Sequence, residues 1–491
     1  MDEYRTDAVI IGSGGAGLRA AIAAREEGLD TLVLSKCSTG LGAATTIANG
    51  AFGCSGFGMS MDAHIKNTME VGYYLNDPSL VRALAEETPL RLEEVRTRGA
   101  KFKPSPSGLV TLRRPTEGGR EVIDVLLAWA RECGVITLDW HTVAALSMKD
   151  GRAAGCIAIG PDGHLLTIKS KAVIVCTGGA SALYKFHDNP TTNLGDGYAL
   201  AEQAGARLKD MEFIQFYPLI TFEPRTPRMV IPPFLADTGL IINDKNENLL
   251  EKYGLTEARP VAIKARDRLS QAMFKEYLAG NTTYLDLRML REKDWDNPFS
   301  HNVREAFVRR FQADEKPVRI MPVAHFTIGG CVIDEWGNTS AEGLFAAGES
   351  ACGLHGANRM GGNALSETLV FGYRAGVSAA RYAKVARQTG PGEAATLFSP
   401  TPFTQGKWEP AEALAAVREI MWNDCGPVRS HDGLAQALEK IDRLTVEGVG
   451  CTEARELSMA VAVFNCLSTA RAIAEGALGR KESIGAHYRE D

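Results

Sequence analysis

The chain has 491 residues, of which 45% are hydrophobic and 23% charged, as is typical of a globular protein of two or three domains. Its net charge of −6 gives no indication of nucleic-acid binding. Apolar runs are strand-sized and the N-terminus carries no signal-peptide pattern, so we expect a cytoplasmic protein without a transmembrane segment.

The N-terminal segment follows the order strand, glycine-rich turn, helix, strand. Residues 7–12 are apolar and β-branched, as in a buried parallel strand, and residues 31–36 repeat this pattern after a helix that ends at Gly28. The turn has the glycine spacing of a dinucleotide-binding loop, with Gly12, Gly14, Gly15 and Gly17. Such glycines let a pyrophosphate approach the backbone at a helix N-terminus, so the segment predicts nucleotide binding.

The next part of the chain changes from helical to strand patterns. Residues 60–135 have the apolar spacing of amphipathic helices. Residues 135–179 alternate strand patterns with Asp-Gly turns at 150–151 and 162–163. This region is expected to return to a buried strand that ends at a glycine pair.

The remainder divides into four stretches by composition. Residues 211–325 are rich in proline and break the preceding order, as an inserted domain does. Strand and glycine patterns resume at 326–376, a helix end and a linker occupy 378–405, and residues 409–478 are strongly helical.

Ten cysteines are scattered along the chain without a CxxC pair. We interpret them as reduced thiols that mostly fill the core. The chain lacks the ligand pattern for an iron–sulfur cluster of its own, and we expect no metal site.

Two later glycine-rich segments indicate the cofactor. Residues 343–349 predict a strand that delivers the Glu349 carboxylate to a glycine turn, where it is suited to the ribityl hydroxyls of a flavin. Residues 355–365 form another glycine-rich turn that opens a helix, and that helix N-terminus favours negative charge on a reduced flavin ring. With the N-terminal loop, these segments resemble the flavoprotein family of succinate dehydrogenase, fumarate reductase and L-aspartate oxidase.

The resemblance covers nearly the whole chain and includes several long, specific motifs. Beyond the segments above, it extends to residues 176–179, 193–206, 211–218, 265–267, 325–330, 418–429 and 481–491.

Membership in this family implies FAD as the cofactor. Ser35 replaces the acidic residue that commonly holds the adenine ribose, and alone does not decide between FAD and NAD. Ala43 stands where complex-forming members attach FAD to a histidine, so we expect non-covalent FAD, which favours substrate reduction over oxidation. Besides the four turn glycines, the residues expected to contact FAD are Ser35, Lys36, Gly42, Ala43, Ala44, Gly50, Gly178, Asp196, Glu349, Asn363 and Leu365.

The family's substrate groups can be placed on this sequence one by one. His325 and Arg359 match the pair that binds and polarises a substrate carboxylate, for which the planar guanidinium is well suited. Arg266 matches the proton donor; its alternative role is a salt bridge with the neighbouring Asp267. His355 is expected near the flavin carbonyl.

Three departures lie on one side of the expected site. Tyr217 replaces the histidine that grips a second carboxylate, and Ile231 replaces a threonine with the same task. Pro232 and Leu235 replace the Glu and Arg of the family's proton relay, and Ile484 replaces a common arginine. The substrate is therefore expected to be a carboxylate with an uncharged tail, or a dicarboxylate held by other groups, with Tyr217 or water in a rebuilt proton route.

The resemblance implies an α/β fold with a Rossmann-like FAD-binding domain (1–210 and 326–400), an inserted α+β capping domain (211–325) and a helical C-terminal domain (401–491). The expected function is hydride transfer between flavin N5 and the C=C or CH–CH of a small carboxylate. The expected partner is an iron–sulfur electron-transfer subunit, through which any membrane contact is made.

Two alternatives remain open from the sequence. One is an amino-acid oxidase resembling L-aspartate oxidase, and the other is a non-catalytic electron-transfer flavoprotein subunit of a larger redox complex.

Overall fold

The computed structural model describes residues 2–104, 109–112, 118–295, 303–386, 403 and 405–491. In chain order, the strands of this part are β1 (Asp2–Arg5), β2 (Ala8–Ile11), β3 (Thr31–Leu34), β4 (Ala51–Gly53), β5 (Phe102–Pro104), β6 (Leu109–Leu112), β7 (Ile136–Leu138), β8 (Thr142–Lys149), β9 (Arg152–Ile159), β10 (Leu165–Lys169), β11 (Ala172–Val175), β12 (Leu208–Lys209), β13 (Ile214–Thr221), β14 (Leu240–Asn243), β15 (Thr283–Asp286), β16 (Val318–Thr327), β17 (Gly330–Val332), β18 (Leu344–Ala346) and β19 (Ala351–Cys352).

The α-helices of the same residues follow the same order. They are α1 (Gly15–Glu26), α2 (Ala44–Ile47), α3 (Met61–Val71), α4 (Pro78–Thr97), α5 (Gly118–Glu132), α6 (Asp196–Gln203), α7 (Leu235–Thr238), α8 (Leu249–Lys252), α9 (Val261–Lys264), α10 (Arg266–Leu278), α11 (Val303–Phe311), α12 (Asn363–Val385), α13 (Pro410–Asp424), α14 (His431–Glu447) and α15 (Leu457–Gly479).

A five-stranded parallel sheet in the order β18-β11-β2-β3-β7 forms the centre of the molecule. Helices α1 and α12 pack with their backbones in close contact at two glycines of α12. A Cβ on Gly372 would lie 2.7 Å from the carbonyl oxygen of Ala16, and one on Gly376 only 2.3 Å from that of Ala20. The predicted Rossmann-like βαβ unit is therefore confirmed, with two helices that both start at the carboxyl edge of the sheet.

A second sheet, in the order β1-β10-β9-β8, lies beside the first. Asp150 and Gly151 both have positive φ between β8 and β9, as the predicted Asp-Gly hairpin requires. Residues 60–135 are largely helical as predicted, with α3, α4 and α5, although β5 and β6 interrupt the helices and pair with β4. These strands are too short for their periodicity to stand out in the sequence.

The stretch predicted as a capping domain contributes an antiparallel sheet in the order β13-β16-β15-β14. Helix α10 packs on β13, and the apolar core beneath them is separate from that of the parallel sheet. Strand β16 continues past residue 325, where the sequence placed the end of the cap. The domain boundaries themselves remain predictions, and the one at 400 lies outside the described residues.

The C-terminal helices α13, α14 and α15 pack together as predicted. Helix α15 belongs to a segment, Ala454–Gly479, that is long and apolar enough to cross a membrane, with a mean hydropathy of 1.5. However, 67% of its most apolar window is buried inside the protein, as in the core helix of a bundle. The chain then returns to the loop before α12, where the N–H of Ala486 donates to the carbonyl of Ala357 at 2.9 Å.

A buried carboxylate stabilises the cap. Burial alone raises the pKa of Glu276, but hydrogen bonds from Lys252, Asn243 and Tyr253 outweigh burial and lower the pKa to about 2. Because this pKa is depressed in the folded state, the stabilisation is present above about pH 4.5 and is lost as the pH falls towards 2.

We predict that Glu276→Gln lowers the free energy of unfolding at pH 7 by about 1–3 kcal/mol, the usual range when a buried charged group loses its partners. In denaturant titrations, the difference in the free energy of unfolding between variant and wild type should become smaller below pH 4.5. Glu305→Gln, which removes an exposed carboxylate from α11, is the matched control. An equal effect of both variants, or a gap that widens in acid, would contradict the prediction.

Candidate active site

The turn between β2 and α1 leaves no room for side chains. Gly12 has a φ of +109°, and a Cβ there would lie 2.1 Å from the carbonyl oxygen of Cys176. A Cβ on Gly17 would lie 1.9 Å from the Gly12 oxygen, so helix and strand approach as closely as backbones allow. Helix α1 begins after Gly14 without a side-chain cap or an acidic residue in its first turn, so its N–H groups and its dipole favour an anion.

The loop after β3 packs against this turn. The N–H of Gly15 donates to the Thr45 hydroxyl at 3.2 Å, and a Cβ on Gly14 would lie 3.4 Å from the methyl group of Ala43. Ala44 begins α2, and Gly42 is so close to Cys37 that a side chain would meet its sulfur at 2.3 Å. Ala43 therefore lies at the phosphate turn and offers no nucleophile there.

Three residues expected to contact the cofactor have their side chains engaged within the protein. Ser35 shares a hydrogen bond of 2.8 Å with Ser13. Lys36 forms an ion pair of 2.8 Å with Asp196, which is the first residue of α6. This pair ties β3 to α6, and direct cofactor contacts of these three residues remain a prediction.

Glu349 follows β18, as predicted, and faces the glycine pair after β11. Its Oε1 accepts the N–H of Thr327 at 2.9 Å, and a Cβ on Gly179 would lie 2.2 Å from that same oxygen. Gly178 has a φ of +80° and an equally crowded Cβ position, beside Asn193. Burial raises the pKa of Glu349 to about 7, so this carboxyl group changes charge near neutrality.

Helix α12 also begins without a side-chain cap or an acidic first turn, after Gly362 at a φ of +92°. The side chain of Asn363 does not point to a cofactor, because it bonds His64 at 2.9 Å and the Thr68 hydroxyl at 2.9 Å. Leu365 is buried in an apolar cluster. These residues offer backbone N–H groups, so any contact with a flavin would be made by the helix terminus.

Arg359 is a buried cation with free hydrogen-bonding capacity. Its guanidinium lies 4.4 Å from the ring centre of Phe326, and its Nε has no hydrogen-bond partner within the described residues. Burial lowers its pKa to about 10, and the nearby Arg266 acts in the same direction. This group remains charged at neutral pH and is suited to an anion.

Arg266 is the second buried cation of the site. Its Nε donates to the carbonyl of Ala262 at 3.2 Å and its Nη1 to the Gln215 side chain at 3.2 Å. Asp267 does not pair with it: that carboxylate accepts the Tyr73 hydroxyl at 2.9 Å. The structure therefore does not support the alternative of an Arg266–Asp267 salt bridge.

His325 completes the predicted group. Its Nδ1 lies 2.7 Å from the carboxylate of Asp188, and since an ionised carboxylate only accepts, Nδ1 carries the proton of this bond. The other ring nitrogen, Nε2, makes no hydrogen bond within the described residues. Asn189 fixes the backbone by donating to the His325 carbonyl at 2.8 Å.

Tyr217 lies between His325 and Arg266. Its ring centre is 5.4 Å from the imidazole and 5.4 Å from the Arg266 guanidinium carbon. Its hydroxyl donates to the carbonyl of Ile231 at 2.8 Å, and burial raises its pKa to about 12. The hydroxyl proton is thus engaged by the backbone, which argues against Tyr217 in the proton route and for a role in shaping the site.

His355 is buried beside these groups. Its Nε2 lies 3.0 Å from the carboxylate of Glu367, its ring contacts Phe326, and its Nδ1 has no partner within the described residues. A buried polar atom without a partner is costly and suits a ligand contact, in line with the predicted place near the flavin.

Several residues of the site were not identified from the sequence, namely Asp188, Gln215, Asn358, Tyr73 and His64. Gln215 and Asn358 lie inside segments that carry the family resemblance, and that position was the available signal. Asp188 and Tyr73 carry no local pattern. Within the described part of the chain, no group of His, Cys, Asp and Glu residues is suited to a metal ion.

The glycine cradle, the two uncapped helix N-termini and the Glu349 carboxylate fit a flavin dinucleotide, and the cluster of cations fits an anionic substrate. These features define a flavoprotein oxidoreductase. Residues 7–365 match the model of an FAD binding domain, and residues 415–491 match that of the fumarate reductase flavoprotein C-terminal region. The chain belongs to the family of fumarate reductase and succinate dehydrogenase flavoproteins and uses FAD.

Known relatives cover the chain almost completely. It is 33% identical to a fumarate reductase (CoM/CoB) subunit from Methanothermobacter marburgensis, over 99% of this chain and 94% of that protein. It is 32% identical to an L-aspartate oxidase of Saccharolobus solfataricus, over 98% and 95%. The structure of a variant of E. coli quinol fumarate reductase superposes with a TM-score of 0.88 at 27% identity, covering 100% of this chain and 92% of that one.

We predict that Glu349→Gln weakens FAD binding mainly at alkaline pH. Below a pKa of about 7 the wild-type group is protonated and resembles glutamine, whereas above it the carboxylate is the stronger acceptor for hydroxyl donors. The ratio of the FAD dissociation constants of variant and wild type should therefore rise about tenfold from pH 6 to pH 8.5. Fluorescence titration of the apoprotein measures it, with the exposed Glu335→Gln as control; a ratio independent of pH would refute this role.

Proposed function

We propose that this protein reduces the C=C bond of a small unsaturated carboxylate, with electrons from an iron–sulfur partner protein. The observation that carries the proposal is the convergence of Arg266, Arg359 and His325 without a carboxylate paired to either guanidinium in the described residues. FAD, when bound, supplies the hydride chemistry at N5.

The substrate carboxylate would be held by Arg359 and His325. The planar guanidinium of Arg359 is fixed on Phe326 and has an unused Nε, and His325 is oriented by Asp188 with Nε2 directed away from that carboxylate. Cations fixed in a buried site polarise the bound carboxylate and stabilise the carbanion-like charge that develops on it.

Arg266 would deliver the proton to the other carbon. Burial lowers its pKa, which makes proton donation easier than from an exposed guanidinium. Its two hydrogen bonds leave further N–H groups available, and the cap carries it on the first turn of α10. Reprotonation through water would then replace the family's Glu–Arg relay, which this chain lacks.

The far end of the site favours an uncharged substrate tail. Tyr217 gives its proton to the backbone of Ile231, and Ile231 itself is fully buried in the apolar core of the cap. A second carboxylate there would lose its water without gaining a donor, which is costly. We therefore propose a monocarboxylate enoate as the preferred substrate.

The similarity to this family also supports proposals on the electron-donating partner and on how FAD is held. Ala43 offers no atom for a covalent bond, so we propose non-covalent FAD. The relative from Methanothermobacter is named as part of a larger enzyme, and this chain shows no cluster ligands in its described residues. We therefore propose that an iron–sulfur protein donates the electrons and that the protein acts in the cytoplasm.

An amino-acid oxidase is the second candidate, favoured by the aspartate oxidase relative. Steady-state assays separate it from the reductase. We expect reduced viologen to drive turnover of crotonate or fumarate by the isolated chain. Peroxide formation from aspartate would instead support the oxidase, and flavin reduction without turnover of any small molecule would support a purely electron-transferring role.

Arg266→Ala is expected to lower kcat by at least about a hundredfold because it removes the proton donor, a loss within the range of general acid catalysis. FAD content should be unchanged. Arg268→Ala, two positions along the same helix and exposed, should retain wild-type kcat. Equal rates in wild type and Arg266→Ala would exclude this assignment.

Tyr217→His is expected to shift specificity towards dicarboxylates, because an imidazole offers the donor that a second carboxylate needs. The ratio of kcat/KM for fumarate to that for crotonate should rise about tenfold or more, an energy equal to one good hydrogen bond to a charged group. A fall in this ratio would contradict the proposed position of the substrate tail.

A further inference from the structure

We propose that Gln215 is a positioning residue that sets Arg266 against the Arg359 loop and does so without cancelling their positive charge. This inference rests on the proposed function, because it concerns how the same site receives its anionic substrate. Nothing in the sequence motifs or in the family resemblance assigned a role to this side chain.

Gln215 lies on β13 and is only 2% exposed. Its Nε2 donates to Asn358 Oδ1 at 2.7 Å and to the carbonyl of Arg359 at 3.0 Å. Its Oε1 accepts from Nη1 of Arg266 at 3.2 Å. The Gln215 amide thus links α10, which carries Arg266, to the loop that carries Arg359.

The partners allow only one orientation of this amide. The Arg359 carbonyl can only accept, and the Arg266 guanidinium can only donate. A flipped amide would direct its oxygen at that carbonyl and its NH₂ group at the guanidinium, which leaves both unsatisfied in a buried place. The orientation is therefore fixed by chemistry, and with it the direction of the Arg266 Nη1–H bond.

The neutrality of the amide matters as much as its geometry. The acidic side chains around the two cations have other hydrogen-bond partners. Asp188 pairs with His325, Glu367 with His355 and Asp267 with Tyr73. Glu349, which also acts on Arg359, accepts the N–H of Thr327. A glutamate at 215 would fit the same space and form a buried ion pair with Arg266. Glutamine holds Arg266 in place and leaves its charge for the substrate.

The amide also spans two parts of the molecule. Gln215 and Arg266 belong to the stretch predicted as the cap, whereas Asn358 and Arg359 belong to the loop before α12. The bond between Tyr73 and Asp267 crosses the same junction one residue further along α10. Both contacts form only when the two parts are together, so the cation pair assembles upon their approach.

The test compares Gln215→Glu, which adds a negative charge, with Gln215→Leu, which removes the hydrogen bonds but adds no charge. Malonate is the binding probe, followed through the absorbance of the bound FAD, and crotonate and fumarate are the substrates. Gln203→Glu, on the exposed side of α6, is the matched charge control.

We expect Gln215→Glu to raise the malonate dissociation constant at least tenfold, whereas Gln215→Leu lowers kcat at least tenfold and changes malonate binding less than threefold. FAD content should remain that of the wild type in both variants, whereas the melting temperature of Gln215→Leu should fall, because buried hydrogen-bonding groups lose their partners. In an Arg266→Lys background, Gln215→Leu should lower kcat by less than threefold, because the group it positions is already altered.

A purely structural role predicts that the two Gln215 variants behave alike, and that result would overturn the inference. If either variant fails to fold, Gln215→Asn replaces it: the shorter amide stays neutral but cannot reach Arg266, so kcat should fall while malonate binding is kept. Wild-type protein that neither binds malonate nor reduces either substrate would instead refute the proposed function itself.

Discussion

Two guanidinium groups, those of Arg266 and Arg359, lie buried close to each other while the carboxylates around them are bonded elsewhere. Burying a cation without a counter-ion is expensive, and two like charges add to that cost. Two sets of contacts offset part of this cost: Arg359 stacks on Phe326, and Arg266 donates hydrogen bonds to neutral acceptors. We propose that an anion entering between them relieves this cost, which would give the site its affinity for a carboxylate.

The other elements of the fold position the two guanidinium groups beside the proposed flavin site. The glycine contacts of α1 and α12 place two uncapped helix N-termini at one edge of the parallel sheet, where we propose that FAD binds. The cap supplies Arg266 and Gln215, and β16 delivers His325 at its end. The C-terminal tail contacts the loop before Arg359 through Ala357, so the site brings together elements from distant parts of the described chain.

Local patterns in the sequence predicted the fold well. The turn at Gly12 and the hairpin at Asp150 depend on neighbouring residues, and both have the predicted geometry. The contacts that orient the site were not predictable in this way. The partners of Asp188, Gln215 and Tyr73 lie 137, 144 and 194 residues away, so these contacts exist only after folding. Tyr217 shows the same limit, since its replacement of a histidine was visible but its bond to Ile231 was not.

The most direct test of this account is an experimental structure of the FAD-loaded protein with bound malonate. The account predicts one malonate carboxylate within hydrogen-bond distance of both Arg359 and His325, on the face of the flavin ring, with Arg266 Nη1 still bonded to Gln215. A malonate bound elsewhere, or guanidinium groups paired with protein carboxylates in that structure, would contradict it.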